Sequence, residues 1–359
     1  MKKTFVLLVA MFLAFSLVAC GGNGSQSSAP AAPKAPAASS GGGASSSGSS
    51  SASTKAPLVM YWIGKVPGGG YWSGVEAGLR AAAEEFNIDM KMFGVDRETD
   101  VEKQINLLAD AIAAKPAAIL MAPVDSFALE KPVAEAYQAG IPIILVDTKV
   151  ASGDQYTAAI LTNNFEAGRT CASLMARFMK EDGIKEGLIG LYYASAGSQT
   201  VIDRHDGFVD YWNKEANLPG IKLLLDDIKY SDGDSTKAIS NTLDMMTRYG
   251  KDLVGLFGGT GDSVQGANAA AEAGNKDVII VGMDFNVDSC NRLKEGWIRG
   301  SCAQQTYRMG YEGTKMALDA MAGKTWTGDN KLVDSGLLAI TKENVDSDEV
   351  KLILELINR

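Results

Sequence analysis

The 359-residue chain has a single histidine, His205, and four cysteines, none of them spaced as a CxxC pair. One histidine excludes a multi-histidine zinc site, and it excludes a histidine-paired nucleophile anywhere except around position 205. Four cysteines are too few for a disulfide scaffold. No GxGxxG follows the first strand-like run, no GxxxxGKS/T phosphate loop occurs, and no GxSxG nucleophile elbow is present. Basic residues are outnumbered, 34 Lys and Arg against 43 Asp and Glu, for a net charge of −9. An acidic chain does not suit a phosphate backbone, so no nucleic-acid partner is expected. What remains is ample for a folded protein. With 46% hydrophobic and 21% charged residues, disorder of the whole chain is excluded, and the length suits two domains or one large α/β unit.

The first twenty residues stand apart. Lys2 and Lys3 precede an apolar run from Phe5 to Val18, broken only by Ser16, and then Leu17-Val18-Ala19-Cys20-Gly21. The run is shorter than the ~20 residues needed to span a bilayer. It resembles a bacterial lipoprotein signal, which implies removal of residues 1–19 and a lipid on Cys20. From Gly21 to Lys55, 30 of 35 residues are Ser, Ala, Gly or Pro. Such a segment cannot bury a core, so 20–56 is expected to be a disordered tether. Its r.m.s. span is about 30–35 Å, enough to hold a folded domain off a membrane while tied to it. The expected location is extracytoplasmic, with the membrane contacted only through the lipid anchor.

From Pro57 onward, apolar runs alternate with helix-period segments. Strands are expected at 58–63, 88–93, 117–121, 141–146, 187–193, 253–257 and 278–282. Helices are expected at 74–86, 100–113, 127–139, 167–179, 201–215, 236–249 and 263–273. Gly140 and Gly274 sit where helix C-caps belong, each shortly before a strand. Continuous apolar runs, rather than alternation, indicate strands buried on both faces, and hence parallel sheets built from βαβ units. About 300 residues of this pattern exceed one sheet, so two lobes are expected.

Ligands in open parallel α/β sheets bind beyond the carboxyl ends of the strands. Polar and aromatic residues collect there. Tyr71 and Trp72 follow the first strand, Asp147 the fourth, and Asp284 the 278–282 strand. Arg204 opens an Arg-His-Asp-Gly-Phe stretch, and Gln304-Gln305 follow Gly300-Ser-Cys-Ala. Carboxylates and a guanidinium offer charge-assisted hydrogen bonds to hydroxyls. Aromatic rings offer a flat face to the C–H side of a sugar. Trp72 follows a glycine-rich stretch, Gly64–Gly70, that is expected to be a flexible binding loop, where packing would not require a large ring. Each residue also has a plainer role: Asp147 a turn residue, Trp72 core, Arg204 a partner of Asp203 or Asp206, His205 a helix-surface residue.

In this order and spacing the chain resembles the type I solute-binding proteins of bacterial ABC sugar importers, the ribose/galactose type. The resemblance covers Leu58 to about Val345. It rests on Ala117-Ala-Ile-Leu-Met-Ala-Pro-Val-Asp125, Ala139-Gly-Ile-Pro-Ile-Ile-Leu-Val-Asp147, Thr162-Asn-Asn-Phe-Glu-Ala-Gly168, Arg204-His-Asp-Gly-Phe208, Val278-Ile-Ile-Val-Gly-Met-Asp284, Leu293-Lys-Glu-Gly296, Ala303-Gln-Gln-Thr-Tyr-Arg-Met-Gly310, Asp334-Ser-Gly336 and Ile340-Thr-Lys-Glu-Asn344. It implies two Rossmann-like lobes, 57–162 plus 305–333 and 163–304 plus 334–359, with parallel central sheets. The lobes would be joined by a three-segment hinge near 161–164, 304–306 and 333–335. It implies a monosaccharide or polyol ligand in the cleft, held by Tyr71, Trp72, Asp147, Arg204, Asp284 and Gln304. It implies ABC permease subunits as partners, no cofactor or metal, no catalysis, and a monomer.

Two departures stand out. Ribose-type binders usually follow the equivalent of Asp147 with arginine, where this chain has Thr148. They carry Asn-Asp after the strand ending at Phe257, where this chain has Gly258-Gly-Thr-Gly-Asp262, so Thr260 and Asp262 are candidate replacements. Transport competes with a sensing role that presents ligand to a membrane receptor. A surface enzyme using Asp147 and Asp284 as a carboxylate pair is the alternative from another class. With Cys20 set aside, Cys171, Cys290 and Cys302 permit at most one disulfide, Cys290–Cys302 being one pairing.

Overall fold

A computed structural model describes residues 56–358. The signal-like segment, Cys20 and nearly all of the tether lie outside the described residues.

The chain is α/β, with two mostly parallel sheets. The first contains β1 (Leu58–Ile63), β2 (Ile88–Phe93), β3 (Ala118–Met121), β4 (Ile143–Val146), β5 (Ala158–Leu161) and β12 (Leu332–Asp334). Their order is β2-β1-β3-β4-β5-β12, every pair parallel. The second contains β6 (Glu186–Tyr193), β7 (Gly220–Leu223), β8 (Lys229–Tyr230), β9 (Leu253–Gly258), β10 (Ile279–Met283), β11 (Gly300–Gln304) and β13 (Leu337–Thr341). It runs β7-β6-β9-β10-β11-β13, with β8 also on β6 and only β13 antiparallel. The two sheets share one winding, so β4 and β10 hold equivalent places.

Among the described residues ten α-helices cover the faces: α1 (Gly69–Glu85), α2 (Val101–Ala114), α3 (Glu130–Gln138), α4 (Asn164–Glu181), α5 (Gln199–Lys214), α6 (Ser235–Tyr249), α7 (Asp262–Ala273), α8 (Val287–Glu295), α9 (Thr306–Met321) and α10 (Asp348–Ile357). Strands β3, β4 and β5 are buried at every position because both faces are covered. Ile119 points to a core with Leu108 of α2 and Val133 of α3. Its neighbour Leu120 points to another core with Leu79 of α1 and Met316 of α9. The second sheet repeats the plan, with Phe257 against Phe208 and Trp212 of α5 on one face. On its other face Leu256 packs with Val350 and Ile353 of α10. None of the helices among the described residues is long and apolar enough to cross a membrane.

The structure adds elements that the apolar pattern did not announce. β11 reads Gly-Ser-Cys-Ala-Gln, with no branched residue, yet all five positions are buried. At its start α4 lies close: a Cβ at Gly300 would stand 3.1 Å from Leu174. The glycine-rich stretch is also corrected. α1 begins at Gly69, so Tyr71 and Trp72 sit in a helical first turn, and the loop is confined to residues 64–68.

The chain passes from one sheet to the other at three places: between β5 and α4, at Gln305 between β11 and α9, and between β12 and β13. These crossings are bonded to one another. Ser335 N donates to Leu161 O at 2.9 Å, the Thr162 and Ser335 hydroxyls lie 3.2 Å apart, and Arg308 donates to Ser335 O at 2.9 Å. Gly336 adopts φ +94°, a region that suits glycine, as the chain turns toward β13.

Candidate ligand-binding site

The carboxyl ends of both sheets face a cavity of about 290 Å³. Its wall includes Tyr71, Trp72, Asp147, Arg204, Thr260, Asp262, Asp284 and Gln304, so the structure brings all eight sequence candidates together.

Asp147 and Asp284 follow β4 and β10, the equivalent strands of the two sheets, and share one unusual backbone conformation, φ +68° and +67°. A short polar side chain tolerates that left-handed region. The Asp147 carboxylate accepts from Tyr71 Oη at 2.5 Å and Thr148 Oγ1 at 2.5 Å. Lys65 Nζ stands 3.9 Å away, both side chains being buried. Burial pushes the Tyr71 phenol well above its ordinary value, with the neighbouring Asp147 charge acting the same way. Tyr71 therefore stays a donor toward Asp147 at any physiological pH.

On the other side Asp284 accepts from Gln304 Nε2 at 2.7 Å. Burial raises the Asp284 carboxyl, and the Arg204 charge and the Gln304 hydrogen bond oppose that rise. Arg204 comes from α5. That helix lies close against α4 through two glycines: a Cβ at Gly168 would collide with the Arg204 carbonyl, and one at Gly207 with that of Phe165. Arg204 pairs with neither Asp203 nor Asp206. Its Nε donates to Asn164 Oδ1 and one Nη to Gly259 O, both at 2.8 Å. The other Nη is buried without a partner among the described residues, and so is Gln304 Oε1. A buried unpaired polar atom costs about 1–3 kcal/mol. Both belong to cavity-lining residues that are at least nine-tenths buried.

Asp262, the first residue of α7, accepts from Thr260 Oγ1 at 3.0 Å and Ser231 Oγ at 3.2 Å. Burial pushes its carboxyl up to about 6, those hydrogen bonds resisting.

Trp72 departs from the sequence expectation. It is 9% exposed and belongs to the core with Met60, Val75 and Leu120. Tyr71 meets it edge-on at 5.1 Å and Lys65 Nζ lies 5.8 Å over its ring. Packing does require this ring, which also lines the cavity. His205 is half-buried in α5, its Nδ1 3.1 Å from Tyr193 Oη and away from the cavity wall. Of the thiols, Cys302 faces Cys171, with sulfurs 3.4 Å apart, while Cys290 belongs to the core on the opposite face of the sheet. The Cys290–Cys302 pairing does not occur; all three cysteines are free.

Sequence reasoning missed Lys65, Asn164, Thr200 and Gly259. Lys65 lies two residues past β1, inside the stretch that reads as glycine-rich loop. The strand-end rule that selects Asp147 applies to it equally. Thr200 Oγ1 reaches Asp147 O at 3.3 Å and Thr148 Oγ1 at 3.2 Å, across the cleft. Ser126 bridges likewise: its N donates to Gly197 O, and its Oγ accepts from Gln199 N, both at 2.9 Å. The cleft is thus closed. Lys65 and Arg204 share the wall with six acidic residues, Glu98, Asp147, Asp234, Asp262, Asp284 and Asp288, so the cavity disfavours anions. Among the described residues no group of three or more His, Cys, Asp or Glu is placed to hold a metal ion.

Residues 60–325 match the family model for the periplasmic binding protein domain. The ribose import binding protein of Bacillus subtilis (strain 168) is 26% identical over 235 residues, 66% of this chain and 73% of that protein. The D-allose-binding periplasmic protein of Escherichia coli (strain K12) is 25% identical over 281 residues, 75% of this chain and 88% of its own. A carbohydrate transporter solute-binding protein from Agrobacterium radiobacter, solved with D-arabinose, superposes with a TM-score of 0.77 at 31% identity, covering 83% of this chain and 99% of that one. An ABC transporter solute-binding protein from Agrobacterium vitis, solved with D-fucose, gives 0.75 at 28% identity, covering 82% and 99%.

Proposed function

The chain belongs to the periplasmic binding protein domain family as a type I sugar-binding member, and from that premise we propose that it captures one monosaccharide or small polyol for an ABC importer. The observation that carries this reading is the two-sided cavity. Tyr71 and Asp147 belong to one sheet's lobe, and Arg204, Asp284 and Gln304 to the other, with one Arg204 donor and one Gln304 acceptor unpaired. A hydroxylated ring supplies the missing partners in one step. Its hydroxyls donate to Gln304 Oε1 and to the carboxylates of Asp147, Asp262 and Asp284, and accept from Arg204. The volume, about 290 Å³, suits one sugar ring, at the low end of ligand cavities.

The protein binds and performs no chemistry. The carboxylates serve as acceptors, and ligand touching both lobes favours the closed state over the open one. A micromolar affinity needs about −8 kcal/mol. Several charge-assisted hydrogen bonds at ~1.5–3 kcal/mol each reach that after ordering costs. Residues 162–163, 305 and 335–336 act as the hinge. Cys20 carries the lipid that keeps the domain at the outer face of the cell membrane. Importer permease subunits receive the closed form.

A thermal-shift screen of the full chain against D-ribose, D-allose, D-arabinose, D-fucose and simple polyols tests this. Ligand at a hundred times its dissociation constant adds about 2.7 kcal/mol of stability. Absence of any shift across the panel, or chemical conversion of the bound sugar, overturns the reading. For the anchor, Cys20→Ala is expected to move the protein from the membrane fraction to the soluble one without changing affinity.

A further inference from the structure

The sugar cavity is not sealed. It adjoins a second cavity of about 860 Å³ at the edge of the cleft, between the loop after β2 and the loop after β8. Glu98, Gly233 and Asp234 line both spaces and form the neck between them. Gly233 gives this neck a backbone conformation that side chains rarely adopt. It adopts φ +74°, and a Cβ there would stand 3.9 Å from Glu98 Cγ across the gap. The two spaces also share a hydrogen-bond path: Ser231, on the outer wall, donates to Asp262, on the inner one.

Resting on the carbohydrate reading above, we propose that the captured sugar can carry an extension through this neck, so that the protein also accepts a disaccharide or polyol glycoside whose second unit occupies the outer cavity. The chemistry of the outer wall selects the substituent. Thr99, Thr236 and Ser240 present hydroxyls, and Val66 is the only apolar side chain on the wall. The absence of an aromatic among these lining residues gives no stacking surface for an aryl aglycone. The carboxylates of Asp96, Glu98, Asp232 and Asp234 outnumber the wall's two cations, Arg97 and Lys237. Lys237 is already paired with Asp232. The surplus of negative charge disfavours a phosphorylated extension. A neutral, hydroxyl-rich unit matches what is left.

Calorimetric titration of the full chain tests this. D-ribose, D-allose, D-arabinose and D-fucose are each titrated as the free sugar and as disaccharides carrying that sugar at one end. Thr236→Trp projects a large ring into the outer cavity from an exposed position on α6, and Ser240→Trp does so from the next turn of the same helix. The expected result is at least one disaccharide binding about tenfold or more tightly than its free sugar. Either tryptophan variant should erase that gain while leaving the free sugar's affinity within about twofold. The proposal is overturned if no disaccharide gains over its free sugar, or if the gain survives both variants. If neither free sugars nor disaccharides bind, the carbohydrate reading fails with it.

Discussion

Gln304→Glu isolates one contact without changing shape. Gln304 Nε2 donates to Asp284 Oδ1 at 2.7 Å in a site shielded from water. The variant replaces that donor with a second carboxylate. Two charges with centres roughly 4 Å apart, at an effective dielectric of about 20, repel by about 4 kcal/mol. At about 1.36 kcal/mol per pKa unit this equals about three units. One proton is therefore shared by the pair, with an upper apparent pKa raised well above its ordinary carboxylate value. Between the ordinary value and the raised one the folded variant holds a proton that the unfolded chain has released. Its stability falls as pH rises through that window and is regained below about pH 4.5. The loss at pH 7.5 relative to the parent approaches 4 kcal/mol, a melting shift on the order of 10 °C. The new carboxyl, when protonated, still donates to Asp284, so affinity near pH 5 should match the parent and decline toward pH 8. Melting curves and calorimetry at pH 5, 6, 7 and 8 read both effects. If the variant's melting temperature runs parallel to the parent's across that range, the two side chains are not in contact and the cavity geometry is wrong.

Tyr71→Phe removes the donor to Asp147 and should weaken sugar binding by ~1–2 kcal/mol in calorimetry, with stability altered by less. Trp72→Ala should cost ~3–5 kcal/mol of stability by chemical denaturation, because the ring is core. A Trp72→Phe variant that keeps both fold and affinity would separate packing from ligand contact. Asp262→Asn tests the buried carboxyl raised to about 6. The folded parent holds a proton between about pH 4 and 6 that the unfolded chain does not. That contribution to stability disappears as pH rises through about 6, roughly 3 kcal/mol in all. The variant should lack this slope, and an unchanged slope in pH-dependent melting would assign it to another group.

The strand-end rule makes much of this site legible in the sequence. Asp147 and Asp284 are visible because each closes a run of apolar residues, Ile-Ile-Leu-Val and Ile-Ile-Val-Gly-Met, that no helix would carry. Lys65 closes such a run as well, but the glycines and proline around it suggest a loop. Trp72 escapes the rule because sequence cannot report what lies behind a helix: Met60 of β1 and Leu120 of β3 share its core. β11 is invisible because its strand character comes from its neighbours. Helix α4 packs close at Gly300, and the small residues of this strand carry no periodic signal. The cross-cleft contacts, Thr200 with Asp147 and Ser126 with Gly197, depend on lobe closure, a property of the assembled hinge.

The edge strand β12 belongs to the first sheet but is made last. It pairs with β5, parallel and in register from Leu332 opposite Ala159, yet about 170 residues separate Leu161 from Leu332 in the chain. At roughly 5–20 residues per second, a ribosome takes roughly 10–30 s to cover that gap. Throughout this interval β5 stands as an unpaired edge whose four residues, Ala-Ala-Ile-Leu, are all buried in the finished protein. An apolar strand edge left open that long is a site for mispairing. The first sheet is therefore complete only when the chain has been made through Asp334.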